Sequence, residues 1–323
     1  MKILVVGGAG YIGSICTELL LDEGHEAAVF DNLGEGHRRA VDSRAEFIEG
    51  DLADRGQIEV ALSSVRPDAV MHFAASALVG ESMRDPSKYF RNNISNGLNL
   101  LDAMVATQVG RFVFSSTCAI FGPPKRVPID EAAPVLPINP YGESKLGFEK
   151  ILRWYGEIHG LKFVSLRYFN AAGASENFGE DHRIETHLIP NVLKVALGQK
   201  PNAEIYGTDY ETPDGTCVRD YIHIIDLARA HILALNMGRS EYYNLGTGGG
   251  SSVHEVIAAC RKITGRKIDT VEKPRRFGDP PRLIASSDKI KRELGWKPQF
   301  QSLDRIIESA WKWHRKYPNG YED

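Results

Sequence analysis

No charge of one sign dominates the 323 residues: 39 Lys and Arg stand against 42 Asp and Glu, a formal charge of −3. The chain therefore offers no overall field for a nucleic acid or an anionic membrane, and any ligand must be recognised locally. Cysteine is scarce. Cys16, Cys118, Cys217 and Cys260 lie far apart and lack the paired spacing of zinc or redox motifs, which predicts free thiols, no metal and a cytoplasmic protein. The opening Met-Lys-Ile-Leu-Val-Val reaches glycine after four apolar residues. That is too few for a secretory leader or a spanning helix, and predicts neither export nor a membrane anchor. Repeats and low-complexity tracts are lacking as well. Gly-Thr-Gly-Gly-Gly-Ser-Ser at 246–252 has only the length of a loop before a helix.

With 42% hydrophobic residues the chain can bury one large core or two modest ones without a metal or disulfide. Short β-branched runs alternate with helix-length segments: Ile3–Val6, then a helix from Tyr11, then Ala27–Phe30, Phe47–Ile48, Ala69–Phe73, Phe112–Phe114 and Phe163–Leu166. That rhythm predicts βαβ units, an α/β fold with a Rossmann-type doubly wound parallel sheet covered on both faces. After Asn170 the regularity breaks, with Gly, Asp, Pro and Thr clustered at 173–182 and 207–216 and helical patterns at 186–197, 224–236, 252–264 and Leu303–Trp313. The expected organisation is a nucleotide-binding domain over 1–170, joined by a returning segment near 220–250, and a smaller, interleaved α/β domain over 171–323. Trp311 and Trp313 are expected to be packing residues.

Gly-Gly-Ala-Gly-Tyr-Ile-Gly-Ser at 7–14 follows the first strand and opens the first helix. It satisfies Gly-x-Gly-x-x-Gly through Gly8, Gly10 and Gly13, and Gly-x-x-Gly-x-x-Gly through Gly7, Gly10 and Gly13. Such glycines let the backbone turn tightly and let a pyrophosphate reach the amides of a helix N-terminus, where the dipole favours negative charge. Glycine patterns are common in turns, but this one has the strand-turn-helix setting, and Asp31 ends the next strand. A carboxylate there accepts hydrogen bonds from the adenosine ribose and repels the extra phosphate of NADP, which predicts NAD. Gly-Asp-Leu at 50–52 and His-Phe-Ala-Ala at 72–75 end further strands and are expected to flank the cofactor, with His72 a buried strand residue.

Phe-Ser-Ser-Thr ends the fifth strand and places Ser115, Ser116 and Thr117 at the carboxyl edge of the sheet, where open α/β folds bind ligands. Tyr141 and Lys145 follow after an Asn-Pro pair. Any helix face can carry a Tyr-x-x-x-Lys pair. Beside an NAD site, however, a hydroxyl, a tyrosine and a lysine make a proton-handling set. A phenol acting as a base near neutrality needs its pKa lowered by some three units, about 4 kcal/mol of differential interaction. A lysine ammonium together with a positive nicotinamide supplies that in a partly desolvated cleft.

In the same order along the chain come Phe-Asp-Asn at 30–32, Asn-Pro-Tyr-Gly-Glu-Ser-Lys at 139–145, Arg-Tyr-Phe-Asn-Ala-Ala-Gly at 167–173 and Asp-Gly-Thr-Cys-Val-Arg-Asp-Tyr-Ile-His at 214–223. Tyr-Asn-Leu-Gly-Thr-Gly at 243–248 and Arg-Arg-Phe-Gly-Asp-Pro-Pro at 275–281 complete the set. With these the sequence resembles the extended short-chain dehydrogenases, and among them the UDP-sugar 4-epimerases, over nearly its whole length. The resemblance implies that Tyr141 is the base, that Lys145 lowers its pKa and holds the nicotinamide ribose, and that Thr117 contacts the sugar. It implies an NAD site of Gly7, Gly10, Tyr11, Ile12, Gly13, Asp31, Asn32, Asp51, Leu52, Phe73, Ala74, Ala75, Asn92, Ser115 and Phe169 with Tyr141 and Lys145. A UDP-sugar site would take Asn170, His187, Leu188, Tyr206, Arg219, Arg276, Asp279 and Leu283 with Thr117 and Tyr141; two arginines suit a diphosphate. The implied reaction interconverts UDP-glucose and UDP-galactose through a transient 4-keto sugar with NAD tightly held. The resemblance also implies a homodimer through helices around 86–106 and 141–158.

Four positions depart from the best-known members. Thr117 stands for serine and keeps the hydroxyl. Ala77 stands where a cofactor-facing lysine is often found, which predicts weaker NAD retention. His187 replaces an asparagine near the uridine, and Leu283 replaces a tyrosine that closes the sugar pocket in some members, which leaves N-acetylated sugars open as substrates. Epimerisation of UDP-pentoses or UDP-glucuronate, and a NAD-binding regulatory protein in which the Tyr/Lys pair is incidental, are the alternatives. A nucleotide-sugar 4,6-dehydratase would need an Asp-Glu pair directly after Thr117, where this chain has Cys118 and Ala119.

Overall fold

The computed structural model describes residues 1–276 and 278–322. The Lys2–Val6 strand is buried almost throughout, and its alternate residues serve two different cores. Ile3 and Val5 join Ile15, Leu20 and Leu227 on one face, whereas Leu4 and Val6 join Phe30, Leu62, Leu101 and Phe148 on the other. Helices cover both faces, which is why parallel strands read as continuous apolar runs. Burying each such side chain stabilises the fold by roughly 1.5–3 kcal/mol.

Seven parallel strands form the main sheet in the order Glu241–Leu245, Lys162–Tyr168, Arg111–Ser115, Ala69–His72, Lys2–Val6, Glu26–Asp31 and Glu46–Glu49. From Lys2–Val6 the chain steps outward to one edge, then returns to pair Ala69–His72 on its other side and steps outward again. The order reverses between Lys2–Val6 and Ala69–His72, so a ligand crevice opens beyond Val6 and His72. The expected strands of the first half are present within one or two residues of their apolar runs.

Beyond Asn170 three small sheets appear. Asn170–Ala172 pairs with Tyr221–His223, Ala203–Tyr206 pairs with Thr270–Lys273, and Val218–Arg219 lies between Ser251–Ser252 and Arg282–Leu283. These strands are two to four residues long, too short for a period to show in the sequence. The helices Leu188–Ala196, Val253–Thr264 and Leu303–Lys316 pack a third core around Val192, Ile257, Ile307 and Trp311. Trp313 faces the opposite way, into the first core, so both tryptophans are packing residues as expected. Glu241–Leu245 returns to the edge of the main sheet beside Lys162–Tyr168. The four cysteines are unpaired, and among the described residues no helix is long and apolar enough to cross a membrane.

Candidate active site

At the crevice the chain turns sharply out of Val6. Gly7 has a φ of +80°, and a Cβ there would lie 2.4 Å from the Ala74 nitrogen. At Gly13 a Cβ would lie 2.2 Å from the Gly7 carbonyl oxygen. These two glycines are required by the protein itself. Gly10 is different: the nearest atom to its Cβ position is the Gly7 oxygen at 3.5 Å, so its missing side chain clears the approach to the Tyr11–Asp22 helix. That helix starts without a side-chain cap, which leaves its first amides and dipole directed at the crevice.

Asp31 serves the same loop. Its Oδ2 accepts from the Ala9 amide at 3.0 Å and its Oδ1 from the Leu33 amide at 2.9 Å. Burial pushes its pKa up, and the two amides pull it back. Each oxygen keeps a second lone pair for a ribose hydroxyl. Asn32 donates to Asp51 Oδ2 at 2.9 Å, which sets the next two expected residues side by side.

The crevice opens into a cavity of about 740 Å³. Its walls include every expected site residue except Ser115, Tyr206, Arg219 and Arg276. Ser115 is turned away from it: its hydroxyl meets the Tyr168 hydroxyl at 2.7 Å, and its carbonyl holds Lys145. Arg219 is engaged by the Val218 and Pro280 carbonyls at 3.0 and 2.9 Å and lies 3.5 Å from Asp279. The Arg276 guanidinium stacks 3.9 Å over the Tyr206 ring. These four stand behind or beside the lining rather than on it. Phe277, within Arg-Arg-Phe-Gly-Asp, lies outside the described residues.

The Tyr/Lys pair is placed by a well-capped helix. Asn139 accepts from the Gly142 amide at 2.8 Å and Pro140 takes the first helical position, a pairing that starts a helix firmly. The Pro140–His159 helix then presents Tyr141 and Lys145, both less than 9% exposed, against the end of the Arg111–Ser115 strand. Lys145 Nζ donates to the Ser115 carbonyl at 2.9 Å and sits 4.8 Å from the Phe114 ring centre. Burial lowers its pKa to about 7, while Glu149 one turn on pulls it back up.

Tyr141 is buried beside Tyr168 and Thr117. Among the chain's own groups burial dominates and raises the phenol, Tyr168 adds to the rise, and only the Thr117 hydroxyl opposes it. Thr117 caps the short Cys118–Ile120 turn through the Ala119 amide at 3.1 Å. His72 is 2% exposed, with burial lowering its pKa to about 3; it is a strand residue, as expected.

Several further residues position the site. Glu149, 2% exposed, accepts from Ser116, Ser165 and Arg167 at 2.7–3.0 Å, directly beneath Lys145. Asn93 sits on a π-helical turn, Arg91–Ser95, a feature often found at functional sites. It bonds Ser76 and Ser144, and Ser144 donates to the Tyr141 carbonyl at 2.7 Å. Asp220, fully buried, accepts from Thr247, Gly248 and Ala285 at 2.6–3.1 Å. It ties the Asp-Tyr-Ile-His and Leu-Gly-Thr-Gly motifs together. The i+4 spacing from Lys145 was the sequence signal for Glu149, and Asp220 lay within the Asp-Tyr-Ile-His motif but was given no role.

Residues 3–246 match the model of the NAD dependent epimerase/dehydratase family. The chain belongs to that family. A UDP-glucose 4-epimerase of Lacticaseibacillus casei is 50% identical over 329 residues, covering 100% of this chain and 99% of the relative. The crystal structure of a UDP-glucose 4-epimerase from Brucella ovis in complex with NAD matches with a TM-score of 0.93 at 46% identity, over 96% of this chain and 97% of that one. One from Bifidobacterium longum, in complex with NAD+ and UDP, matches with a TM-score of 0.95 at 39% identity, over 99% and 100%. Directly after Thr117, Cys118–Ile120 forms a 3₁₀ turn that carries no carboxylate, so the Asp-Glu pair expected of a 4,6-dehydratase is not there.

Proposed function

We propose that the protein is a UDP-glucose 4-epimerase, interconverting UDP-glucose and UDP-galactose through a transient 4-keto sugar. The observation that carries this is the meeting of Tyr141, Lys145 and Thr117 with the glycine turn and Asp31 on one cavity. The activity of the Lacticaseibacillus relative and the ligands of the Brucella and Bifidobacterium structures support it.

The cavity suits NAD, because Gly10 clears the helix N-terminus and Asp31 retains lone pairs for a ribose. Gly7, Gly10, Tyr11, Ile12 and Gly13 would hold the pyrophosphate, with Asp31, Asn32, Asp51 and Leu52 at the adenosine. Phe73, Ala74, Ala75, Asn92, Phe169 and Lys145 would hold the nicotinamide end, with Ser115 acting through its carbonyl on Lys145. When bound, NAD supplies the hydride acceptor and donor for sugar carbon 4.

Tyr141 removes the proton of the 4-hydroxyl and later returns it, Lys145 stabilises the phenolate, and Thr117 orients the sugar oxygen. Asn170, His187, Leu188 and Leu283 face the UDP-sugar, and Tyr206, Arg219, Arg276 and Asp279 border its uridine and diphosphate end. We further assign nucleotide binding to residues 1–170 with the returning segment near 220–250, and sugar binding to 171–323. Homodimerisation in the cytoplasm completes the proposal; exposed Trp154 and Ile158 on the Pro140–His159 helix and Phe90 on Pro86–Phe90 support the pairing face. Leu283 on the cavity wall favours a second reading, in which UDP-N-acetylhexosamines are also substrates.

The purified protein is incubated without added NAD with UDP-hexoses, UDP-N-acetylhexosamines and UDP-pentoses, and the products are read by NMR. A carbon-4 epimer of UDP-glucose is expected, and Tyr141→Phe should slow its formation by about 10²–10⁴-fold. No carbon-4 epimer from any sugar, or a Tyr141→Phe variant at the wild-type rate, refutes the assignment.

A further inference from the structure

The loop between Gly179 and the Leu188–Ala196 helix brings four ligand-type side chains together beside the cavity, with Glu180, His182 and His187 on its wall. Donor atoms of Glu180, His182, Glu185 and His187 all lie within 4.8 Å of one another. His187 Nδ1 is 2.5 Å from Glu180 Oε1 and 3.7 Å from Glu185 Oε1, and His182 Nε2 is 3.3 Å from Glu180 Oε1. The two carboxylate side chains are only 5% and 4% exposed. His182 Nε2 is buried without a hydrogen-bond partner, since its approach to Glu180 lacks hydrogen-bond geometry.

The ion partners of Glu180 are His182 and His187, and that of Glu185 is His187. The nearby Arg183 is committed instead to the Leu33 and Gly34 carbonyls, at 3.2 and 2.9 Å. A metal ion there takes the place of the protons through which the imidazoles pair with the two carboxylates.

We propose that Glu180, His182, Glu185 and His187 form a binding site for a divalent transition-metal ion of the zinc class. Zinc takes imidazole nitrogen and carboxylate oxygen tetrahedrally at about 2.0–2.2 Å, so its ligands stand roughly 3.3–3.6 Å apart. Two of the three contacts above already lie within 0.2 Å of that range, and the third, the short Glu180–His187 contact, needs only a small opening. The mixed nitrogen and oxygen donor set suits zinc and its neighbours better than magnesium or calcium, which take oxygen ligands in larger number. Four ligands within eight consecutive residues also mean that the metal closes a short loop rather than bridging distant parts of the chain.

The site itself is independent of the reaction proposed above; its effect on turnover rests on that reading, because His187 is assigned to the substrate. A metal held by His187 takes that side chain from the UDP-sugar, so zinc inhibits and a chelator restores the rate.

The test uses the full chain after dialysis against a chelator, titrated calorimetrically with zinc chloride and, separately, magnesium chloride. One equivalent of zinc and no magnesium binding are expected. His182→Gln and His187→Gln should each weaken zinc binding at least about tenfold, while His159→Gln, on an exposed helix end, leaves it unchanged. X-ray absorption of the zinc-loaded wild-type protein should show only nitrogen and oxygen neighbours near 2.0–2.2 Å, a reading that needs no variant to fold. Absence of stoichiometric zinc binding, binding that survives the His182→Gln/His187→Gln double change, or a sulfur shell near 2.3 Å overturns the site.

Discussion

Glu149 lies under the reacting pair without touching the cavity, and its replacement tests whether that support is real. The carboxylate accepts from Arg167 through both Nε at 3.0 Å and Nη2 at 2.7 Å, and from two serine hydroxyls. Arg167 is itself 7% exposed and lies 4.6 Å over the Tyr242 ring. Glu149→Leu leaves a buried guanidinium without its anion, which costs about 3–5 kcal/mol. At about 2 °C per kcal/mol for a chain of this size, the unfolding midpoint should fall by roughly 6–10 °C.

The double change Glu149→Leu/Arg167→Met removes both charges and should recover most of the loss, because an apolar replacement of a buried pair is often nearly neutral. Glu149 also pulls the Lys145 pKa upward. Its loss should therefore move the alkaline fall in epimerisation rate to lower pH, since Lys145 sheds its proton earlier. Thermal unfolding and the pH–rate profile are the measurements. A single variant within about 1 kcal/mol of wild type refutes the buried-pair reasoning, as does a double variant that loses the sum of the two singles. An unmoved alkaline limb refutes the link to Lys145.

Burial holds Lys145 near a pKa of 7 against 10.5 for the free group. The folded chain thus loses this proton before the unfolded one, and the stability cost of Lys145 is full below about 7 and relieved as pH rises toward 10.5. The stability gained by Lys145→Met should be larger at pH 7 than at pH 10 in urea unfolding of nucleotide-free protein, and a constant gap would count against it. Gly13→Ala puts a methyl 2.2 Å from the Gly7 oxygen. Co-purified NAD, read after acid release, should drop several-fold, and full retention would show that the turn can yield. Leu283→Tyr adds bulk to the cavity wall and should cut kcat/KM for UDP-N-acetylhexosamines more than for UDP-hexoses; equal losses would place the sugar elsewhere.

Legibility in the sequence followed distance along the chain. The turn glycines, the Asn139–Pro140 helix start and the i, i+4 placement of Tyr141 and Lys145 are written within a few residues, where backbone sterics, capping and helical pitch act. The alternating strands and helices of the first half were legible for the same reason, since each buried strand carries its own apolar run. The short strands beyond Asn170 were not, because pairing with partners far along the chain creates them.

The site divides along the same line. Residue types placed Asp31, Thr117, Tyr141 and Lys145 at strand ends and a helix start, and all four line one cavity. Tertiary packing decided which of their neighbours would be wet or buried. It turned Ser115 and the two arginines out of the lining, put Glu149 and Arg167 beneath Lys145, and raised the Tyr141 phenol through burial. It also folded the two histidines and two glutamates of 180–187 into one cluster beside the cavity. Desolvation and long-range charge depend on which surfaces are closed against water, and no local pattern of residues encodes that.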